Sequence, residues 1–498
     1  MSDSLSSGEE TSADPVLASV EAGRLLALRK SAASQREARR QGKRLFNMGI
    51  VGTGAALAYF GFKSNVADPL HLYLGLVIFV LAVLPSLMWA RRGEYGLPVF
   101  EAFMLPGVNT FAVPLLHGKE ALRLYQPDTI TLAALGVILF QVSANLCFFM
   151  IKARPKRGRA WREEIMSKSV SRLLGYGMLV TTLYTVVVQF ADWIPTAIVP
   201  EVRAVCTGVG IVAAFVQSRR WGEGQLPYYD KIIFVVQLIL QVVFNWVALF
   251  LVQGVTILVL SLLGYVSGSR RIPFIPIIVC LPIIGILYNG KAQMRAKYWN
   301  ATAAAVTIPE VPSFFSEWVE DGLNQDKDPD AAKSAGVLDR TSLIQIICLV
   351  VKVSPNEKPF LDGETYWQIP GQFIPRFFWK DKPLGHISTY TLTLYYGLQG
   401  SMEEAQQTTI GFGVVAESYA NFGFFGMAVI GCFFGFFFKK ATGWSSASPI
   451  FSYPGLFLVV LMAWTFQTEL PLSAWLASLW QACLSVLGLP LVLRNFFK

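Results

Sequence analysis

The stretch PLHLYLGLVIFVLAVLPSLMWARR, Pro69 to Arg92, decides the fold. From Pro69 to Ala90 it holds no Asp, Glu, Lys or Arg, and two arginines close it. A helix needs about 20 such residues to cross the hydrocarbon core of a bilayer. Lipid offers backbone N–H and C=O groups no partners, so a block of this kind must satisfy itself as a helix. Blocks of the same character recur near 46–62, 69–90, 95–116, 128–151, 173–191, 196–217, 232–249, 252–267, 273–290, 413–438, 450–468 and 471–493. They predict an all-α protein, a polytopic bundle of about twelve transmembrane helices. Composition agrees. Hydrophobic residues make up 53% of the 498 and charged residues 15%, against about 25% charged in a soluble domain, and the mean hydropathy is +0.47.

Charge gives the blocks a direction, because Lys and Arg in short loops stay in the cytoplasm. Residues 1 to about 20 are rich in Ser, Glu and Asp, and Arg24, Arg29, Lys30, Arg36, Arg39, Arg40, Lys43 and Arg44 follow. We read residues 1–45 as a disordered, basic cytoplasmic tail that meets the anionic leaflet or simply sets topology. With that tail inside, every later basic cluster also falls inside: Arg91 and Arg92, Lys152 to Arg162, Arg219 to Lys231, Arg270 and Arg271, Lys439 and Lys440, and Arg494 with Lys498. The net charge of +9 is therefore mostly topology and gives no reason to expect nucleic acid. The segment 95–116 is the least regular of the spans, since it holds Glu101, Pro98, Pro106 and Pro114. A broken or re-entrant helix fits it as well as a clean crossing.

A membrane bundle over 46–290 and a second over 411–498 flank one large loop, 291–410, on the face opposite the cytoplasm. Loops this long are functional or disordered. The aromatic content here, with Trp299, Trp318, Trp367, Trp379, Tyr366 and Tyr390, argues against disorder. Leu343, Ile346, Ile347, Val350 and Val351 recur at helical spacing and predict an amphipathic helix on the bilayer or under the loop. Cys348 stands alone in the loop, and no CxxC or His-rich spacing offers a metal site.

Charges are scarce in such a chain, so their positions carry information. Lys291 and Arg295 share one helix face at the end of the ninth span, and Arg340 precedes the apolar helix. Glu364, Arg376 and Lys382 lie in a proline-stiffened segment, and Glu417 and Asn421 stand at the mouth of the tenth span. Each has a plainer reading too. Lys291 and Arg295 fit snorkelling residues, Arg340 with Asp339 fits a local pair at a helix start, and Arg376 with Lys382 fits a headgroup anchor. Glu417 is harder to explain that way, because an acid at membrane depth is costly unless paired or used. Together the five cations can converge on one anion. Arginine suits a diphosphate, whose oxygens it grips through two parallel hydrogen bonds.

The run IPRFFWKDKP at 374–383, with GETYW at 363–367 before it and AESYANFGFFG at 416–426 after it, resembles the bacterial O-antigen and exopolysaccharide repeat-unit polymerases of the Wzy type. The Lys–x–x–x–Arg pair at 291 and 295 is similar to the family's pattern as well. The likeness covers about residues 285–440, and the first 250 residues share only hydropathy. Lys380 stands where the family often has proline, which adds a cation.

The resemblance implies an inner-membrane glycosyltransferase that needs no metal or other cofactor, with both termini cytoplasmic and the large loop periplasmic. It would join undecaprenyl-diphosphate-linked oligosaccharides, and its partners would be those glycans, membrane lipid and a chain-length regulator protein. Arg376, with Arg340 and Arg295, would stabilise the departing diphosphate, and Lys291 and Lys382 would assist. Glu417 ranks first as the base, ahead of His386 and Glu364. Tyr366 and Trp379 would stack on sugar rings or anchor at headgroups, and Asn421 would complete the substrate site. An O-antigen ligase shares this architecture and donor. A flippase for the same lipids would instead hold its charges inside the bundle, on paired broken helices.

Overall fold

The computed structural model describes residues 15–64, 66, 68–93, 96–118, 120–153, 168–190, 199–249, 251–269, 271–298, 306–324, 342–374, 379, 382–407, 410–445, 448, 450 and 452–496. Among them the chain is helical with no strand. In chain order the longer elements are α1 (Pro15–Lys63), α2 (Pro69–Arg92), α3 (Val99–Leu116), α4 (Pro127–Met150), α5 (Lys168–Phe190), α6 (Val199–Gly222), α7 (Tyr228–Val247) and α8 (Leu251–Ser269). Then come α9 (Phe274–Tyr298), α10 (Val311–Asn324), α11 (Leu343–Val353), α12 (Ile387–Tyr395), α13 (Gly413–Ser445), α14 (Tyr453–Trp464) and α15 (Leu472–Phe496).

Eight helices are long and apolar enough to cross a membrane among the described residues: Arg39–Lys63 of α1, α2, α3, α4, α7, α8, Phe274–Lys291 of α9, and α13. The sequence reading expects about twelve. The difference lies in α5, α6, α14 and α15. Tyr453–Trp464 has only 12 residues, and α6 carries Glu201, Arg203, Arg219 and Arg220. The apolar parts of α5 and α15 that can be described, Arg172–Val187 and Leu472–Leu484, are also short.

Local chemistry sets the helix ends. Asp68 caps α2 by accepting from Leu70 N at 2.8 Å, Pro69 opens the first turn, and Gly93 closes the helix in the left-handed region at φ 61°. The α1 helix runs unbroken from Pro15, so the basic tail enters the first span as continuous helix. The irregularity of 95–116 takes the form of a turn at Leu105 and Pro106 followed by a π-helical turn at Val108–Ala112.

Packing between membrane helices cannot rely on expelling water, so it relies on close backbone approach through small residues. A Cβ on Gly431 would lie 2.5 Å from Phe140 O, and one on Gly435 would lie 2.3 Å from Ala144 O. These two glycines draw α13 onto α4. The α11 helix packs against both α4 and α13, with Ile344, Ile347, Cys348 and Val350 at 1% exposure or less. It is therefore a core helix buried on nearly every face, where the sequence reading has an amphipathic one on the bilayer or under the loop. Apolar residues at almost every position of LIQIICLVV leave no polar face to turn outward.

A second cluster joins α7, α8, α9 and α10. Trp318 of α10 donates to Leu287 O at 2.7 Å, and a Cβ on Gly290 would lie 2.7 Å from Trp318 O. At the end of the same interface Lys297 pairs with Glu317, which also accepts from Tyr298 Oη at 2.8 Å.

Candidate functional site

The site begins with a broken helix. Phe422 (φ −142°, ψ 21°) and Gly423 (φ 61°, ψ −148°) interrupt α13, which separates a half-helix, residues 413–421, from the long span after it. Glycine is required at 423, because a side chain rarely adopts that backbone conformation and a Cβ would stand 3.1 Å from Phe360 Cζ. Gly413 opens the half-helix in the left-handed region, where a Cβ would lie 2.7 Å from Thr468 O. Irregular backbone at membrane depth is tolerated where protein buries it. Here every residue from Gly413 to Asn421 is buried.

Glu417 lies on this half-helix with no solvent exposure. Its Oε2 accepts from Leu472 N at 2.6 Å, so the first turn of α15 holds one carboxylate oxygen. The Thr365 hydroxyl lies beside the carboxylate and is its side-chain hydrogen-bond donor. One turn on, Asn421 ties the half-helix to the GETYW segment. It accepts from Gly363 N at 3.0 Å and donates to Thr365 Oγ1 at 2.9 Å and to Glu417 O at 2.8 Å. A backbone bond from Leu361 N to Ala420 O, 2.9 Å, completes the junction. Tyr366 follows directly, its ring 6.1 Å from that of Phe422. Burial, reinforced by the nearby Glu417 carboxylate, pushes the Tyr366 phenol well above its ordinary range, so it stays protonated. Its hydroxyl is also buried without a partner among the described residues.

The loop between α14 and α15 connects this acid to the cations. Glu469 O accepts from Gly413 N at 2.8 Å, and its carboxylate acts electrostatically on both Lys291 and Arg295. Arg295 donates through Nη2 to Leu249 O at 2.9 Å. Burial pulls its guanidinium down to about 10, partly offset by Glu469, which leaves it a cation at neutral pH. Lys291 and Arg295 are thus like charges held half-buried one helical turn apart. Such a pair raises the local affinity for anions.

The remaining predicted residues are placed differently. Lys382 is buried, with Nζ donating to Gln372 O at 3.3 Å and Ile374 O at 3.0 Å, so it fastens a turn of backbone. Glu364 is exposed at the start of the Glu364–Trp367 turn. His386 is exposed as the residue before α12. Trp379 is partly exposed and packs on Gly371. Arg340 and Arg376 lie outside the described residues. No group of three or more His, Cys, Asp or Glu able to hold a metal occurs among the described residues.

No family model, curated protein or solved structure matches the chain.

Four polar contributors escape a reading of the sequence. Thr365, Ser388, Gln368 and Ser473 converge through the Ser388 hydroxyl, which lies within hydrogen-bond distance of Thr365 O, Gln368 Oε1 and Ser473 Oγ. Small hydroxyls this far apart in the chain leave no motif. Glu469 did leave a trace, as an acid in the short segment TELPLSAW between two apolar blocks.

Proposed function

We propose that the chain is a polysaccharide polymerase of the inner membrane. It joins undecaprenyl-diphosphate-linked oligosaccharide repeat units by metal-independent glycosyl transfer at the periplasmic face. The observation that carries this reading is that the segment 469–472 touches both a fully buried acid and a half-buried cation pair: Leu472 N donates to Glu417, and the Glu469 carboxylate acts on Lys291 and Arg295. Glycosyl transfer from a lipid diphosphate needs both elements. The acceptor hydroxyl must lose a proton, and the leaving diphosphate must be met by positive charge. Arg340 and Arg376 would supply further charge. The resemblance of residues 363–367, 374–383 and 416–426 to the Wzy-type polymerases points to the same chemistry.

In this reading the acceptor oxygen forms the new glycosidic bond as its proton passes to Glu417. The electron pair of the broken bond leaves with the diphosphate oxygen. The substrates are lipid-linked glycans, and a chain-length regulator protein is the partner the resemblance adds.

Analysis of carrier-linked glycans in a strain lacking the chain tests the proposal. Single repeat units must accumulate on undecaprenyl diphosphate, and re-expressed Glu417→Gln must fail to lengthen them. Full-length chains stranded on the carrier would instead mark a ligase, and units trapped on the cytoplasmic leaflet a flippase.

A further inference from the structure

The tryptophans that reach the surface do so in two ways. Trp379, Trp444 and Trp480 are 42%, 41% and 40% exposed, and each leans on a neighbour: Gly371, the Phe457 ring and the Phe373 ring. Trp367 is 82% exposed, and no ring stacks on it among the described residues. Nor does it stand alone. Phe422, itself partly exposed, lies on the other side of Gly363, so the two rings make an apolar patch of the kind that binds a partner.

The turn holds this indole at the edge of the site. Gly363 has φ 91°, and a Cβ there would lie 3.1 Å from Phe422 Cζ and 3.9 Å from Trp367 Nε1. Gly363 N donates to Asn421 Oδ1 at 3.0 Å, and Asn421 donates in turn to Glu417 O at 2.8 Å. A chain of contacts thus runs from the exposed indole to the half-helix that carries the buried acid.

Charge selects the guest. Residues 359–375 hold no Lys or Arg but two acids, Asp362 and Glu364, both exposed. Glu364 lies three residues before Trp367 in the same helical turn, on the same side of it. Lys358, the cation just before this segment, is engaged with Tyr395 O. Aromatic anchors on an anionic membrane surface are accompanied by Lys or Arg, and the carboxylates here would repel phosphate headgroups. An ammonium group calls for several rings closed into a cage, whereas Trp367 offers one open face. A sugar ring fits both features. Its C–H face, with partial positive charge on the hydrogens, meets the negative face of the indole, and its hydroxyls donate to carboxylates.

We propose that Trp367, flanked by Asp362 and Glu364, is the stacking platform for an uncharged sugar ring of the repeat unit, an assignment that rests on the polymerase reading above. The same carboxylates turn away uronic acids and phosphorylated sugars. The site thus separates its two tasks: neutral glycan is read at Trp367, and anionic phosphate at Lys291 and Arg295.

The test uses Trp367→Ala and Trp367→Phe in the full chain, where an exposed side chain is changed and the core is left intact. Membranes containing each protein are supplied with lipid-linked repeat units extracted from the deletion strain, and elongation is followed as their concentration is varied. The platform predicts a KM raised about three- to tenfold in Trp367→Ala, the worth of one aromatic stack, with a smaller rise in Trp367→Phe and kcat little changed. In nanodiscs of phosphatidylethanolamine with brominated acyl chains, the emission lost in Trp367→Phe should be one that the bromine leaves unquenched. Quenching of that emission would place the indole in the bilayer as a lipid anchor and overturn the platform. An unchanged KM in Trp367→Ala, with the parent active, would overturn the platform alone. A parent chain that elongates nothing would overturn the polymerase reading and the platform with it.

Discussion

Replacing Asn421 with alanine should release the GETYW segment from the half-helix. The side chain is fully buried and makes three hydrogen bonds, to Gly363 N, Thr365 Oγ1 and Glu417 O. The two that cross to the GETYW segment are worth about 1 kcal/mol each net, and stranding the buried Gly363 N–H adds about 1–3 kcal/mol, so the junction should weaken by about 3–5 kcal/mol. At about 1.4 kcal/mol per factor of ten, local opening becomes about a hundredfold to a few thousandfold more frequent. Hydrogen exchange of the full chain in lipid nanodiscs reads this directly. The informative amide is Leu361, which bonds Ala420 O and not the deleted side chain. Its protection should fall by that factor while amides in α4 keep theirs. If Leu361 exchanged at the parental rate in Asn421→Ala, the junction would not depend on Asn421, and the role assigned to its side chain in tying the half-helix to the GETYW segment would be wrong.

Three further outcomes follow from the same contacts. Glu469→Gln removes the negative charge that acts on Lys291 and Arg295, so inorganic pyrophosphate should bind about two- to fivefold tighter by calorimetry, as suits an exposed charge; Lys291→Met should weaken it. Gly423→Ala should destabilise the chain by about 1–3 kcal/mol for its backbone alone, more once the added carbon meets Phe360, and thermal unfolding in detergent should show it. The contact of α10 with α9 should loosen in acid. Glu317 is held below the ordinary glutamate range first by its hydrogen bond from Lys297, so its contribution is present above that range and is lost as pH falls through the lowered value. Proteolytic nicking of α10 followed against pH checks this, and Glu317→Gln should abolish the dependence.

Much of the bundle was legible because lipid imposes one solution on an apolar block. Pro69–Arg92, Pro127–Met150 and Leu251–Ser269 all fall within a few residues of where hydropathy puts them. The shorter elements were not, since length and burial are set by neighbours. LIQIICLVV shows that the helix has no polar face to turn outward, but not that α4 and α13 are the neighbours that cover nearly all of it. The site shows the same division. Glu417 and Asn421 stand out as polar residues in an apolar run, and the structure joins them to Thr365 and Tyr366. Lys382 stands out equally well, but a sequence shows a charge without its partner, and here the partners are backbone carbonyls. The role of the 465–471 loop was hidden for the opposite reason. Its Glu469 carboxylate is visible as an acid, but its hold on the half-helix comes from the Glu469 carbonyl, with the neighbouring Leu472 N–H completing it, and such backbone groups exist in every residue.

The decisive measurement is reconstitution of the purified chain in phospholipid vesicles with lipid-linked repeat units as the only glycan. Products should be longer chains on one carrier with an equal amount of free undecaprenyl diphosphate released, and Glu417→Gln should give neither. Release of no carrier diphosphate by the parent chain, or chain growth undiminished in Glu417→Gln, would show that the buried acid and its cation pair do not perform glycosyl transfer.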